Sequence, residues 1–498
     1  LENVLSYYFR DQRKSDPDVL LAALNSTLEF ERFLGDTLDT DVFDQAILHS
    51  FEPYLLVWIS QQEQSTNGKF VEYLGSFKLS NELSLAKDAS ELLKVLEDGN
   101  VPPNIAPSCA ELFRHFRTIL SQALKLSHGP ILIDLSDFFN KYLKKYADQI
   151  LEPSLPSEDD ENVFLGVEAF KYLTMVLNTA DYCLTASEQL ESKINQTIDQ
   201  DLAKSISFED SRQYYLQIIS RCTNLLLTKL QKDLEFSWRQ FQNINWADMN
   251  QTGDVLRYMG DVERVTTETI HIVTPLIIRE GYAWNFHNKV VEVVVHTYMN
   301  QWKKIRPGVS EINAEQLMLD LADLKTKFLK IQTDMGGMAK SYSRFVISQT
   351  SKAETILKLL SLPVKPLDDF TGNYFILIGD RSVENFIRIL DLKGIHDNGA
   401  YIDNFNLQLA TGDHTDLADF NNTVAILKNE GEEAAEKIRR QVVPKKPSLV
   451  PQVRLPKPPQ INIANIEKGF KEFAMNGESR VNKMGENFKS IGKFFRKD

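Results

Sequence analysis

Cysteine is scarce in this 498-residue chain. Cys109, Cys183 and Cys222 are the only three, and no two form a C-x-x-C pair. An odd, scattered set argues against a disulfide framework or a zinc ribbon and fits a reducing compartment. Long apolar runs are missing too: no stretch of about 18 apolar residues reads as a membrane-spanning helix. No signal-peptide pattern opens the chain, which starts on Leu1 rather than Met, as expected of a fragment. In a cytosolic setting the N-x-S/T triplets at Asn25, Asn195, Asn250 and Asn421 carry no meaning.

Catalytic signatures are also lacking. There is no G-x-x-x-x-G-K-[ST] loop to cradle phosphates, and no G-x-G-x-x-G after a strand. H-E-x-x-H, an EF-hand loop and a G-x-S-x-G nucleophile elbow are absent as well. The eight histidines are scattered. Glu292 and His296 sit four apart and share a helix face, but a metal site needs three or four converging ligands. This pair therefore reads as surface or half-buried, and the three cysteines read as core packing. The expectation is a non-enzymatic chain with no cofactor and no metal.

What is present is an ordinary globular mix, 43% hydrophobic and 25% charged, in a chain long enough for several cores. The net charge of −13 is unevenly spread. From Gln441 to Asp498 there are 12 basic and 5 acidic residues, a net of +7; the remainder carries −20. So acidic a body is a poor partner for nucleic acid, which needs a basic face.

Strand alternation is rare, and helical spacing dominates. Ser108-Cys109-Ala110-Glu111 reads as a capping box, with Leu112, Phe113, Phe116, Ile119, Leu120 and Ala123 forming one apolar face. The acidic stretch from Pro153 to Glu161 reads as a loop. Phe170, Leu173, Leu177, Ala180 and Leu184 recur at steps of three and four, and Ile194, Ile198 and Leu202 extend the pattern as one long helix. Asn313 is the expected cap of another helix, with Gln316 three places on and Gly336-Gly337 at its end. A shorter helix spans Ser351 to Leu360, stopped before Leu362-Pro363. Val383, Phe386, Ile387 and Leu390 form a further face, for which Gly394 suits the C-terminal cap. The runs Val290-Val295 and Tyr374-Ile378 have strand propensity but no strand partner nearby, and are read as buried helix. The fold class expected is all-α: consecutive antiparallel helical bundles forming a rod. The expected regions are 1–152, 162–245 and 254–430, then a Pro/Lys-rich linker at 441–460 and a basic amphipathic tail at 461–498.

Several segments carry a resemblance. They are Ser50-Phe51-Glu52-Pro53-Tyr54-Leu55 with Trp58-Ile59; Pro107-Ser108-Cys109-Ala110-Glu111-Leu112-Phe113; and Leu177-Asn178-Thr179-Ala180-Asp181-Tyr182-Cys183-Leu184 with Glu188-Gln189-Leu190-Glu191. Further on come Ala314-Glu315-Gln316-Leu317 with Leu319-Asp320, Ala353-Glu354 with Ile356-Leu357-Lys358, and Ile389-Leu390-Asp391-Leu392-Lys393-Gly394. In this order they resemble the C-terminal part of the family of the fifty-third vacuolar-protein-sorting subunit of the Golgi-associated retrograde protein complex. The resemblance spans about residues 50 to 394. It implies a helical-rod subunit of a vesicle tether acting between endosomes and the trans-Golgi network. The partners it implies are three sister subunits, SNAREs and Rab/Arf-like small GTPases, with a cytoplasmic, membrane-peripheral location. No binding residue is carried over, and the matching blocks read as packing.

The tail lies outside that resemblance. Ile466, Phe470, Phe473, Val481, Met484, Phe488, Ile491 and Phe495 step mostly by three and four among Lys468, Lys471, Lys483, Lys489, Lys493, Arg496 and Lys497. Gly469, Gly477, Gly485 and Gly492 interrupt the stripe, each costing a free helix about 1 kcal/mol. The docking candidates are Phe470, Phe473, Phe488, Ile491, Phe495, Lys489, Lys493, Arg496 and Lys497. Three readings stay open: a membrane surface, a groove on a sister subunit, or no specific contact.

Overall fold

The computed structural model describes residues 5, 7, 17–38, 51, 54–74, 78–98, 103–156, 166–334, 340–412, 416–425 and 427. The chain divides into Leu1–Asn429 and Glu430–Asp498. The linker 441–460 and the tail 461–498 lie outside the described residues, as do Gly336-Gly337 and the end of the acidic stretch after Pro156.

The first unit is all-α. Its helices are α1 (Pro17–Leu38), α2 (Leu55–Leu74), α3 (Asn81–Leu85), α4 (Ala89–Glu97), α5 (Pro107–Leu126), α6 (Ile131–Tyr146), α7 (Glu168–Thr197) and α8 (Glu209–Gln242). They continue with α9 (Arg257–Leu276), α10 (Glu280–Trp302), α11 (Glu311–Asp334), α12 (Lys340–Leu360), α13 (Leu367–Leu377), α14 (Val383–Leu392), α15 (Gly399–Thr411) and α16 (Asn422–Ala425). Among the described residues there is no strand, only an isolated bridge between Asp380 and Ala418. No described helix is long and apolar enough to cross a membrane. Neighbouring helices pack as bundles: α2 with α6, α7 with α8, α8 with α9 and α10, α11 with α12, and α13 with α15.

The central pair explains itself from sequence. Apolar side chains at three- and four-residue steps give α7 a face, and α8 supplies the complement through Ile218, Cys222, Leu225 and Leu226, all buried. The hairpin is fastened at its turn, where Glu191 accepts from both Arg212 and the Phe208 amide. At about 1.5 Å per residue, α7 and α8 run roughly 45 and 50 Å. Val290, Val291, Val294 and Val295 are buried within α10, and Tyr374 and Phe375 within α13, as the helical reading of both runs requires.

Four local expectations are corrected. Ser108 does not cap α5. The helix starts two residues before the Cys109 that such a cap would require, because Pro107, with φ already helical and no amide to satisfy, occupies its first position. Ser108 is instead buried, its hydroxyl 2.8 Å from Tyr146 Oη. Asn313 is not the cap of α11 but its third residue. Ser310 is the capping residue: its Oγ accepts from the Asn313 amide and Asn313 Oδ1 accepts from the Ser310 amide, each at 3.1 Å. The long helix stops at Thr197, because Ile198 turns to extended backbone and the polar Asp199 donates its amide to His128 O. The helix expected from Ser351 begins at Lys340.

Buried histidine makes one consequence measurable. His287 is fully buried between α9 and α12, with Nε2 2.7 Å from Thr274 Oγ1. Burial, aided by His271, lowers its pKa from 6.5 to about 4. The unfolded chain therefore takes up a proton where the folded chain does not. This stability is complete above pH 6.5 and is lost as pH falls toward 4. At pH 5 the loss from His287 alone is about 2 kcal/mol, from roughly 1.4 kcal/mol per pH unit. Urea unfolding at pH 7.5 and pH 5 is expected to show that loss in wild type and a clearly smaller one in His287→Gln.

Candidate functional site: buried polar joints

The nine docking candidates Phe470, Phe473, Phe488, Ile491, Phe495, Lys489, Lys493, Arg496 and Lys497 lie outside the described residues. Glu292 and His296 share one face of α10. Burial lowers the His296 pKa while Glu292 opposes it. No group of three or more metal-competent side chains converges among the described residues. The cysteines are buried. Cys109 Sγ lies 3.3 Å from Cys183 Sγ, and burial raises the Cys109 thiol pKa well above its ordinary value.

What the structure brings together is a series of polar joints where one helix pair meets the next. The first lies on α7. Asn178 is buried and donates Nδ2 to Asn104 O (3.0 Å) and Leu276 O (2.8 Å). Its Oδ1 accepts from the Ile278 amide at 3.0 Å. One side chain thus satisfies three backbone groups: one in the segment entering α5, one at the last residue of α9 and one in the link between α9 and α10. Next to it, Thr179 Oγ1 accepts from the Ala106 amide at 3.0 Å. Asp181 is paired with Arg279 Nε at 2.9 Å. Burial raises the Asp181 pKa, and Arg279 partly opposes this. Two turns before Asn178, the fully buried Lys171 donates to Leu83 O (2.8 Å), Ala86 O (2.6 Å) and Glu168 Oε1 (2.7 Å), fixing the turn between α3 and α4.

The second joint is on α11. Asp320 is fully buried and accepts from Tyr258 Oη at 2.6 Å and from the Leu256 amide at 3.0 Å. Gln316 accepts from the Gly253 amide (2.8 Å) and donates to Asp254 O (3.0 Å). Asn313 Nδ2 reaches Trp246 O at 3.0 Å. The whole link between α8 and α9 is therefore held by one face of α11. Burial raises the Asp320 pKa; its three hydrogen-bond partners oppose that.

The third joint is centred on Asp380. Its carboxylate accepts from Tyr374 Oη (2.5 Å), the Ser382 amide (3.2 Å), Asn385 Nδ2 (2.5 Å) and the Asn421 amide (2.7 Å). A fourth contact is backbone against backbone. Val309 N donates to Leu392 O at 2.7 Å, and Gly308 lies directly on Gly394.

Sequence reasoning read these blocks as packing, and for Leu177, Ala180 and Leu184 that is right: all three are buried. It missed Asn178, Thr179, Asp181, Gln316 and Asp320. The available signal was chemical. Buried polar side chains are hydrogen-bonded, so Asn, Thr and Asp set inside a helix with apolar residues on all sides must find partners on other elements.

The fold and its joints define an all-α protein of consecutive helical bundles, keyed together by buried side-chain to backbone hydrogen bonds. Comparison with known proteins narrows this. Residues 315–395 match the family described as vacuolar protein sorting-associated protein 53 C-terminus, and residues 1–78 match Vps53, N-terminal. The chain is 29% identical over 444 residues to vacuolar protein sorting-associated protein 53 of Saccharomyces cerevisiae, covering 79% of this chain and 51% of that protein. It is 23% identical over 449 residues to vacuolar protein sorting-associated protein 53 A of Arabidopsis thaliana, covering 78% and 53%. The Caenorhabditis elegans homolog is 24% identical over 433 residues, covering 81% and 52%. The chain is similar to the vacuolar protein sorting-associated protein 53 family in both of these segments, and spans about half the length of the relatives it matches. Among solved structures, the C-terminal domain of the exocyst subunit Sec6p is similar with a TM-score of 0.46 and 12% identity, over 72% of this chain and 97% of that one.

Proposed function

We propose that this chain is the scaffold portion of a non-enzymatic vesicle-tethering subunit acting in retrograde transport from endosomes to the trans-Golgi network. In this reading it binds three sister subunits of the Golgi-associated retrograde protein complex. It also engages SNAREs and Rab/Arf-like small GTPases from the cytoplasmic face of those membranes. Similarity to the vacuolar protein sorting-associated protein 53 family is the observation that carries the reading. The first two joints agree with it, because Asn178, Thr179, Asp181, Gln316 and Asp320 fall in the family-like blocks at 177–184 and 314–320 and act on geometry rather than on a reacting atom. The helical regions 1–152, 162–245 and 254–430 would serve as successive spacers, with the linker 441–460 delivering the tail 461–498 to a membrane.

The tail supports a membrane reading by charge. Together with the linker it carries a net +7 over residues 441–498, which is drawn to anionic lipid, where each Lys contributes about 1 kcal/mol. Each buried Phe or Ile adds roughly 1.5–3 kcal/mol. Affinity-purified, tagged chain is expected to bring down three sister chains at stoichiometric levels. The purified complex is expected to float with anionic liposomes and to lose that flotation with Phe488→Asp and Phe495→Asp. A different stable set of partners would mean a generic helical adaptor. Unchanged flotation would reject membrane docking through the tail and leave the assembly reading standing.

A further inference from the structure

Helix α1 has two apolar faces and only one of them is covered. Successive residues of a helix advance about 100°. Leu20, Leu24 and Glu31 are buried toward the body of the unit, where α1 packs on α2. On the far side, Val19, Ala22, Phe30 and Phe33 fall within about 80° of one another by the same geometry. They are centred about 140° from the buried face. Val19, Phe30 and Phe33 are 56%, 53% and 62% exposed. Single exposed apolar residues are ordinary, but an aligned stripe with two phenylalanines is a docking face. Glu29 and Asp36, both exposed, run along one edge of it.

Charge identifies the occupant. From Asp18 to Asp44 the chain has seven acidic residues and a single basic one, Arg32. An anionic membrane or a nucleic acid would be repelled. A second copy would bring two acidic edges together, which costs affinity. We propose that the outer face of α1 is a docking site for a cationic amphipathic helix of a partner chain. The apolar stripe of that helix would pack on Phe30 and Phe33, and its lysines or arginines would pair with Glu29 and Asp36. The inference does not depend on the trafficking reading or on the tail.

The test uses the full chain and a fluorescent 21-residue amphipathic Leu/Lys peptide as probe, read by anisotropy. Phe30→Asp with Phe33→Asp is expected to weaken binding at least tenfold, and Glu29→Lys with Asp36→Lys to weaken it comparably. A Leu/Glu peptide is expected not to bind. All four side chains are exposed, and circular dichroism identifies any variant that fails to fold. A photoreactive benzoylphenylalanine at Phe33, in the complex purified from cells, supplies the second readout. It is expected to cross-link a basic helical segment of another chain. Unchanged peptide binding in the folded Phe30→Asp/Phe33→Asp variant overturns the proposal, as does equal binding of the Leu/Glu peptide. So does a cross-link found only to lipid, to an acidic segment, to a second copy, or to nothing.

Discussion

Replacing Gly394 by alanine is expected to destabilise the α13–α15 region by about 3 kcal/mol, from a left-handed backbone penalty of roughly 1 and overpacking of roughly 2. Gly394 ends α14 at φ +76°. Ile395 N donates to Leu390 O at 2.9 Å and Gly394 N to Asp391 O at 3.0 Å, the Schellman pattern in which a side chain at this position is strained. A Cβ would also stand 2.4 Å from Pro307 O, a backbone atom with no rotamer to escape into. The reciprocal change, Gly308→Ala, places its methyl 2.5 Å from Gly394 N and from Lys393 C without any conformational penalty. The two variants therefore separate the contributions. Both are expected to lower the urea midpoint of the α13–α15 region and to raise amide exchange in residues 367–411, with Gly394→Ala the more severe. Equal stability of Gly394→Ala and wild type would mean that the two loops do not touch.

Asn178→Ala is expected to cost at least 3 kcal/mol. Removing the carboxamide leaves the Asn104 and Leu276 carbonyls and the Ile278 amide unpaired in the interior, at about 1–3 kcal/mol for each buried group left without a partner. Neighbouring bonds relax in part, so the sum is not fully additive. Leucine fits the volume no better for this purpose, since it cannot satisfy any of the three. The informative readout is regional: amide exchange is expected to rise in residues 103–106 and 276–279 together, although 170 residues separate them, while α11 to α15 stay protected. Asn178→Asp tests the direction of each bond. A carboxylate keeps the acceptor for Ile278 and loses both donors, and is expected to be at least as damaging as alanine because it also buries a charge.

How much of this was legible in the sequence depends on which physical signal is asked for. Helices were legible wherever one face is apolar: the stripe of Phe170, Leu173, Leu177, Ala180 and Leu184 is the stripe that packs. Gly394 was legible because few other residues suit a left-handed cap. The fold class followed from the same periodicity. Helix starts were less legible. Ser108 satisfies the spacing of a capping box, but a spacing rule does not know that Pro107 starts the helix before it. The joints were not legible as a set. Periodicity says that Asn178 lies beside a core stripe; it does not say that residues 104, 276 and 278 converge on it from 74, 98 and 100 positions away. That convergence is a property of the tertiary packing.

The Asn178 joint also determines how the molecule answers mechanical load. Two apolar helix faces can slip past one another by a turn, one leucine taking another's place at little cost. An asparagine whose three partners exist at a single register cannot. A pull along α7 must rupture all three bonds together before any creep begins. The α7–α9 contact therefore resists shear as a splined shaft does, yielding abruptly above a threshold rather than stretching gradually.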